Sequence, residues 1–315
     1  MLHPNDSLPP RPQLEGRARD DDTTRLSLRL ADGAVVECVI ITAPERGRGR
    51  RRRTLCVSTQ VGCRMGCVFC ATGRMGFVRD LGAGEIAAQV LIAEDELGGR
   101  PDSIVFMGMG EPLDNFDQWR AAVEMLIDSR RTSCGPPRAY STHRMTVSTC
   151  GHLPGLERLA ARGFRKMTVA VSLNASNDEV RSALMPAARR WPMAALRRAL
   201  ERLPLRNRVL LVEYVVFPGV NDLPRHALEL AAYLEPFRPL INLIGYNPGR
   251  DGPAAGLTVP GDGDLQAFRE RLAQAGLFAR LRESRGRSIH AACGQLATGR
   301  VGSRPVRAAA PGAGA

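Results

Sequence analysis

One stretch decides the fold and the chemistry of this chain: Val61-Gly-Cys-Arg-Met-Gly-Cys-Val-Phe-Cys-Ala-Thr-Gly73. It places three cysteines, Cys63, Cys67 and Cys70, in the spacing C-x3-C-x2-C. Thiolates are the usual ligands of iron–sulfur clusters, and a cubane [4Fe–4S] cluster has four irons to ligate. Three thiolates leave the fourth iron open to bind something else. The spacing therefore predicts one [4Fe–4S] cluster with an open coordination position.

A zinc site is the alternative for the same cysteines. Structural zinc sites normally combine paired C-x2-C motifs with a fourth ligand. The sequence holds no second C-x2-C pair after Cys70 and no H-x3-H pair. We therefore favour the cluster over a zinc site or a spacing that arose by chance.

Composition is typical of an intracellular enzyme. The chain has 315 residues, 44% of them hydrophobic, which is enough for one large core. Eight cysteines in this length are too sparse for a disulfide scaffold. The N-terminus lacks a signal-peptide pattern, and no stretch of 18 apolar residues could span a membrane. We expect a cytoplasmic protein with no membrane association.

The net charge is +12, and Lys166 is the only lysine among the 44 basic residues. Such an excess of arginine suits a polyanionic partner, most plausibly a nucleic acid. The densest run is Arg46, Arg48 and Arg50 to Arg53. This run is interpreted as a contact with an RNA backbone, and a simply solvated surface is the alternative.

Strands and helices alternate along most of the chain. Residues 24–42 alternate around Asp32-Gly33, which predicts a β-hairpin. Further strands are predicted at Thr54–Ser58, Ser103–Met107, Arg144–Ser148, Lys166–Ser172, Arg208–Val216, Leu240–Ile244 and Phe278–Arg282. Helical patterns lie near 82–97, 116–130, 153–162, 177–202, 222–235 and 262–276. This alternation predicts an α/β fold, a partial TIM-like barrel whose chemistry lies at the C-terminal strand ends.

The predicted domain organisation has four parts. Residues 1–23 are polar and proline-rich and are expected to be a flexible leader. Residues 24–55 would form the N-terminal hairpin extension and an arginine-rich loop, and residues 56–300 the barrel. Residues 301–315, rich in Ala, Pro and Gly, are expected to be a flexible tail.

Polar motifs follow several of the predicted strands. They are Gly108-Met-Gly-Glu-Pro112, Ser148-Thr-Cys-Gly151, Ser172-Leu-Asn174 and Gly245-Tyr-Asn-Pro248. Glycines let a backbone approach a ligand closely, and the Glu111 carboxylate suits an ammonium group. Turn chemistry could explain each motif alone, but their shared position at one end of a barrel indicates a binding site.

Two further cysteines lie near opposite ends of the predicted barrel. Cys56 stands on the first barrel strand, seven residues before Cys63, and Cys293 lies in a loop after the last strand. A buried structural thiol is the ordinary fate of a free cysteine. The two can nevertheless meet when the barrel closes. Cys38, Cys134 and Cys150 receive no catalytic role, although Cys150 stands close to Ser148.

The motifs together resemble one known family. Cys-Val-Ser-Thr-Gln-Val-Gly-Cys, Met-Gly-Met-Gly-Glu-Pro, Val-Ser-Thr-Cys-Gly, Ser-Leu-Asn-Ala, Asn-Leu-Ile-Gly-Tyr-Asn-Pro and Ala-Ala-Cys-Gly-Gln-Leu-Ala occur here in the order of the RlmN/Cfr family of radical-SAM RNA adenosine methyltransferases. The resemblance runs from about residue 30 to about residue 300. In the radical-SAM superfamily the open iron chelates S-adenosylmethionine (SAM), which supplies the difficult chemistry.

The resemblance implies a reaction scheme. Cys293 would accept a methyl group from one SAM. A radical formed from a second SAM would activate that methyl group for addition to an adenine ring carbon, carbon 2 by preference. Glu37 matches the position of the family's base, and Cys56 would release the product through a transient disulfide.

The resemblance also implies ligands and partners. The SAM contacts would be Gly110, Glu111, Ser148, Ser172, Leu173, Asn174 and Asn247. The substrate would be 23S rRNA, tRNA or both, and a flavodoxin- or ferredoxin-like protein would supply electrons. We expect a monomer.

Some features depart from the family pattern. RlmN-type proteins usually carry a helical accessory domain before the hairpin, where this sequence has a short polar leader. Asn174 stands where a histidine is common, and Gly245-Tyr246 where a proline and an aromatic residue are common. The same chemistry on a free nucleotide or small metabolite therefore stays open, as does a non-catalytic, basic RNA-binding iron–sulfur protein.

Overall fold

Strands and helices alternate through the computed structural model, which describes residues 11–44, 51–128, 139–164, 166–205 and 209–298. Within these ranges the strands are β1 (Gln13–Arg19), β2 (Thr23–Arg29), β3 (Val35–Pro44), β4 (Arg51–Cys56), β5 (Gln60–Gly62), β6 (Phe77–Asp80), β7 (Ser103–Phe106), β8 (Met145–Thr149), β9 (Thr168–Ser172), β10 (Val209–Val216), β11 (Arg238–Gly245) and β12 (Ala279–Arg282). The α-helices are α1 (Ala71–Arg74), α2 (Ala83–Leu97), α3 (Phe116–Ile127), α4 (Leu153–Arg162), α5 (Asp178–Leu184), α6 (Met193–Glu201), α7 (Pro224–Leu234) and α8 (Asp262–Gln274).

One large sheet holds most of these strands, in the order β1-β2-β3-β4-β7-β8-β9-β10-β11-β12. Strands β1 to β4 are antiparallel neighbours. Strand β4 is parallel to β7, and β7 to β12 are all parallel to their neighbours. This confirms the predicted α/β fold with a largely parallel sheet and an antiparallel N-terminal extension. Among the described residues, no helix is long and apolar enough to cross a membrane.

The N-terminal sheet, which we define as β1 to β3, is larger than the sequence predicts. The hairpin of β2 and β3 forms around Asp32-Gly33, with Arg29 opposite Val35. The expectation of a flexible leader over residues 1–23 is wrong for Gln13–Arg19, which pairs with β2 as the edge strand β1. Its side chains are only exposed or half-buried, so it lacks the apolar face by which a strand is recognised.

The helix predicted over 177–202 is interrupted by proline. Helix α5 ends at Leu184, a 3₁₀ helix covers Pro186–Arg190, and α6 begins at Met193, directly after Pro192. A proline lacks the N–H that a helix interior needs and restricts the residue before it. The other predicted helices and strands lie within a few residues of their predicted positions, whereas β5, β6 and α1 were not predicted.

Successive side chains of a strand face either the core covered by helices or the barrel interior, where the polar residues lie. On β10, Leu210, Val212 and Tyr214 are fully buried in the hydrophobic core. Glu213, between two of them, is 6% exposed and lines the barrel interior. Because successive side chains of a strand point to opposite faces, this placement assigns the polar residues of β10 and β11 to the interior.

Candidate active site

The three predicted cluster ligands line one cavity at the C-terminal ends of β7 to β11, here called the cysteine cavity. Cys63, Cys67 and Cys70 lie in the loop between β5 and α1. The loop is closed by a hydrogen bond of 2.8 Å from the Cys63 amide to the Gly76 carbonyl. Helix α1 begins directly after Cys70. The sequence predicted this convergence from spacing alone.

Two further thiols, those of Cys150 and Cys293, line the same cavity. Burial raises the pKa of Cys67 to about 12 and raises the pKa of Cys63 and Cys150 well above its ordinary value. These thiols are therefore neutral at pH 7 unless a metal deprotonates them, as metal ligation does. Cys134 lies outside the described residues.

Arg181 is a buried cation whose charge acts on the Cys67 and Cys150 thiols. Its side chain is buried, and Nη2 donates to the Cys150 carbonyl. Within the described part of the chain, its Nε and Nη1 atoms have no hydrogen-bond partner. As placed, no three His, Cys, Asp or Glu side chains among the described residues form a group that could hold a metal ion. The fit of a cluster therefore rests on the shared cavity and on this buried guanidinium, which a negatively charged cluster would neutralise.

Glu111 is one of two carboxylates that line the cysteine cavity, the other being Glu213. It is 3% exposed, and its oxygens accept hydrogen bonds from the amides of Cys150 (2.8 Å) and Leu113 (3.1 Å). Burial raises its pKa to about 6. The preceding Gly110 has φ +98°, and a Cβ there would lie 2.5 Å from Gln60. Only glycine fits this turn, which presents the carboxylate to the cavity.

Four of the other predicted SAM contacts also line the cavity: Ser148, Ser172, Asn174 and Asn247. The Ser148 and Ser172 hydroxyls lie 3.5 Å apart. The Asn174 side chain already bonds within the protein, with Oδ1 accepting from the Val215 amide at 2.9 Å. Leu173 differs, because it is fully buried in the hydrophobic core and does not line the cavity.

Cys56 and Cys293 meet in a second, adjoining space, here called the interior cleft. Cys56 ends β4 and is 8% exposed, whereas Cys293 is exposed in the C-terminal segment, residues 283–298. Burial first, and then the nearby Cys293 thiol, raise the pKa of Cys56 to about 12. Cys70 and Cys293 each line both spaces, so the thiol pair borders the cavity of the predicted cluster ligands directly.

Comparison with known proteins agrees with this geometry. Residues 57–231 match the Radical SAM superfamily. A dual-specificity RNA methyltransferase RlmN from Lawsonia intracellularis is 41% identical over 285 residues, which cover 88% of this chain and 76% of that protein. The chain belongs to the RlmN/Cfr family of radical-SAM methyltransferases.

Other relatives agree with this membership. The RlmN protein of Nitratidesulfovibrio vulgaris is 44% identical over 283 residues, covering 88% of this chain and 74% of its own length. The crystal structure of a radical SAM methyltransferase from Sphaerobacter thermophilus superposes with a TM-score of 0.80 at 38% identity, covering 91% of this chain and 81% of that one. The resemblance predicted from the order of the motifs is confirmed, and the protein is an enzyme.

This RlmN/Cfr family member has a charged pair in the barrel interior that the sequence analysis missed. Arg282 on β12 pairs with Glu213 on β10 at 3.3 Å, and Asn242 on β11 donates to Glu213 at 3.0 Å. The Cys293 thiol and the Glu213 carboxylate raise the pKa of Arg282, and Arg282 in turn opposes the rise in the pKa of Cys56. The available sequence signal for this pair was the alternation of side chains along the short final strand Ala279–Arg282, which could have assigned Arg282 to the barrel interior.

Glu37, which matches the family's base, lies apart from both spaces. It is 2% exposed on β3 and lines a separate depression with Arg250 and Thr298. Its Oε1 accepts from Arg25 at 2.8 Å and its Oε2 from the Ala297 amide at 3.0 Å. The catalytic, SAM-binding and cluster-binding roles of individual residues stay predictions.

Proposed function

We propose that this enzyme methylates an adenine ring carbon of RNA, with carbon 2 preferred, through a methyl group carried on Cys293 and a product-releasing disulfide with Cys56. The single observation that carries the proposal is that both cysteines line one cleft, which adjoins the cavity lined by Cys63, Cys67 and Cys70. The predicted cluster would use only Cys63, Cys67 and Cys70, so methyl transfer through cysteine gives the second pair of thiols a role.

The residues of the cysteine cavity would hold the cofactors. Cys63, Cys67 and Cys70 would ligate a [4Fe–4S] cluster, and the Glu111 carboxylate would bind the ammonium group of SAM. Cluster and SAM together would supply the methyl group and the radical that activates it. Ser148, Ser172 and Asn174 offer hydroxyl and amide groups to the rest of the cofactor.

The thiol pair would perform the covalent steps. Cys293 is exposed to the cleft and can take up a methyl group as a thiolate. Cys56 is buried beside it and can attack the Cys293 sulfur once the methyl carbon is bonded to the substrate. The S–S bond then forms as the bond between sulfur and the product carbon breaks, and that carbon keeps the electron pair and takes up a proton to become the methyl group. The guanidinium of Arg282 stabilises the thiolate state of Cys56.

Charge at the interior cleft supports RNA as the substrate. Arg52, Arg280 and Arg285 line this cleft together with the two cysteines. Relatives above 40% identity are named dual-specificity RNA methyltransferases. We therefore propose 23S rRNA, tRNA or both as substrates, with a free nucleotide as the alternative. We also propose that the enzyme is a cytoplasmic monomer that receives electrons from a flavodoxin- or ferredoxin-like protein.

The test is a reaction of the anaerobically reconstituted protein with SAM, a reductant and RNA. Mass spectrometry of the digested RNA is expected to show 2-methyladenosine, and the Cys293→Ala protein is expected to produce none. A product methylated at carbon 8 would correct the position. Methylation of free nucleotides but not of RNA would favour the alternative substrate.

A further inference from the structure

The C-terminal segment, which carries Cys293, is bound to the barrel on one side. The Ala71 amide donates to the Gly294 carbonyl at 2.7 Å, and the Thr72 hydroxyl donates to the Leu296 carbonyl at 2.6 Å. The Asn247 side chain donates to the carbonyl of Cys293 itself at 3.3 Å. These contacts tie the segment to α1, directly after the predicted cluster ligands, and to the loop after β11.

The other side of the C-terminal segment is bound to the N-terminal sheet. Asp22, in the turn between β1 and β2, forms an ion pair with Arg285. The Ser288 hydroxyl donates to Asp20 in the same turn at 3.1 Å. Gly286 has φ +74°, and a Cβ there would lie 2.9 Å from the Thr23 side chain, so the two chain segments are in close contact. The N-terminal sheet therefore packs on the segment along its length.

Of the contacts just named between the N-terminal sheet and the C-terminal segment, none is as close to Cys293 in sequence as the one that Glu37 makes. One oxygen of its buried carboxylate accepts from Arg25 and the other from the amide of Ala297, four residues after Cys293. Both oxygens are thus engaged, and the carboxylate lies outside the cleft that holds the two thiols. This arrangement suits a group that holds backbone in place better than one that removes a proton from a substrate.

We propose that Glu37, together with Arg25, is a positioning residue that fixes the C-terminal segment so that the Cys293 thiol faces Cys56. The role given to this positioning rests on the proposed function, whereas the contacts of Glu37 are a property of the fold alone. Thiol exchange requires the sulfur atoms to be held within reach, so a loosened segment lowers the effective concentration of one thiol at the other.

The test uses the full-length, cluster-reconstituted protein and the variants Glu37→Gln, Glu37→Ala and Arg25→Met. Glu15→Gln is the matched control, because Glu15 forms an exposed ion pair with Arg29 in the same sheet. Two quantities are measured anaerobically. One is the equilibrium between the Cys56–Cys293 disulfide and glutathione, quantified from the linked peptides. The other is hydrogen–deuterium exchange in residues 283–298.

We expect Glu37→Gln to lower the disulfide equilibrium constant about tenfold, which corresponds to about 30 mV, and to speed exchange at the Ala297 amide. Glu37→Ala is expected to change the disulfide equilibrium constant and the exchange rate more strongly. Glu15→Gln is expected to change neither quantity. If either quantity stays at its wild-type value in Glu37→Gln, the inference is overturned. Loss of methylation with both quantities unchanged would identify Glu37 as the base instead. A wild-type protein that forms no methyladenosine would refute the proposed function, while both quantities would still test the positioning.

Discussion

Cys56 at the end of β4 and Cys293 in the C-terminal segment line the same cleft, and the Cys293 thiol helps to raise the pKa of Cys56. Almost the whole barrel separates the two cysteines in sequence. Their meeting therefore requires both the parallel sheet and the packing of the C-terminal segment. A pair of thiols placed in this way can exchange a covalent adduct for a disulfide.

Replacing Cys56 by alanine is expected to trap a covalent protein–RNA adduct. The carbon–sulfur bond to Cys293 would form, but no thiol would be left to break it. Denaturing gel electrophoresis and mass spectrometry of the linked peptide would detect the adduct. Cys38→Ala, which removes a buried thiol on neighbouring β3, is the control and should leave no adduct. Free turnover by Cys56→Ala would refute the role given to Cys56.

Replacing Cys293 by alanine is expected to abolish methylation and leave the iron content unchanged. Cys150→Ser should also keep its iron, although Cys150 lines the same cavity as the predicted ligands. Cys67→Ser should lose most of the iron, because a missing thiolate leaves one iron without its ligand. Iron and sulfide analysis after reconstitution measures all three. A Cys150→Ser protein without a cluster would mean that Cys150 is a ligand.

Product release is expected to accelerate as pH rises. The raised pKa of Cys56, about 12, leaves its thiol protonated at pH 7, so the thiolate fraction grows about tenfold per pH unit up to about pH 9. The groups that face it are Cys293, Arg282 and the buried Cys38. Single-turnover release at fixed ionic strength between pH 7 and pH 9 measures this slope.

Arg282 is expected to accelerate the same step. Its positive charge opposes the rise in the pKa of Cys56, so Arg282→Met should slow release about tenfold at pH 7. Arg282→Lys keeps the charge and should recover part of the rate. Equal rates in wild type and Arg282→Met would show that the guanidinium does not act on the thiolate.

RNA binding is expected to weaken steeply with salt. Arg52 and Arg280 line the interior cleft, and each phosphate contact that is removed should lower the slope of log Kd against log salt by about 1. Arg52→Gln and Arg280→Gln should therefore bind tRNA more weakly and with a shallower slope. Arg197→Gln, on α6 and paired with Glu201, is the control and should bind as wild type does. Unchanged slopes for both cleft variants would place RNA elsewhere.

Local patterns in the sequence predicted the parts of the fold that they determine. The strands from β7 to β12 and the cysteine loop follow from apolar runs and from spacing. Strand β1 was missed because an edge strand with little apolar surface has no strong pattern, and α5 and α6 were merged across Pro186 and Pro192.

Contacts between distant residues could not be predicted in the same way. The ion pair of Arg282 with Glu213 joins two separate strands, β12 and β10. The hydrogen bond from the Ala297 amide to Glu37 joins opposite ends of the chain. Periodicity assigns a residue to a face but not to a partner on another element. The resemblance assigned Glu37 a role, and only the fold shows what its carboxylate contacts.

The most direct test of the central claim is electron paramagnetic resonance of the reduced, anaerobically reconstituted protein with and without SAM. We expect a [4Fe–4S] signal that changes when SAM is added, with 5′-deoxyadenosine formed afterwards. The same change should occur in Cys150→Ser. A signal that does not change when SAM is added, a cluster ligated by four cysteines, or zinc in place of iron would contradict the proposed cluster with an open iron.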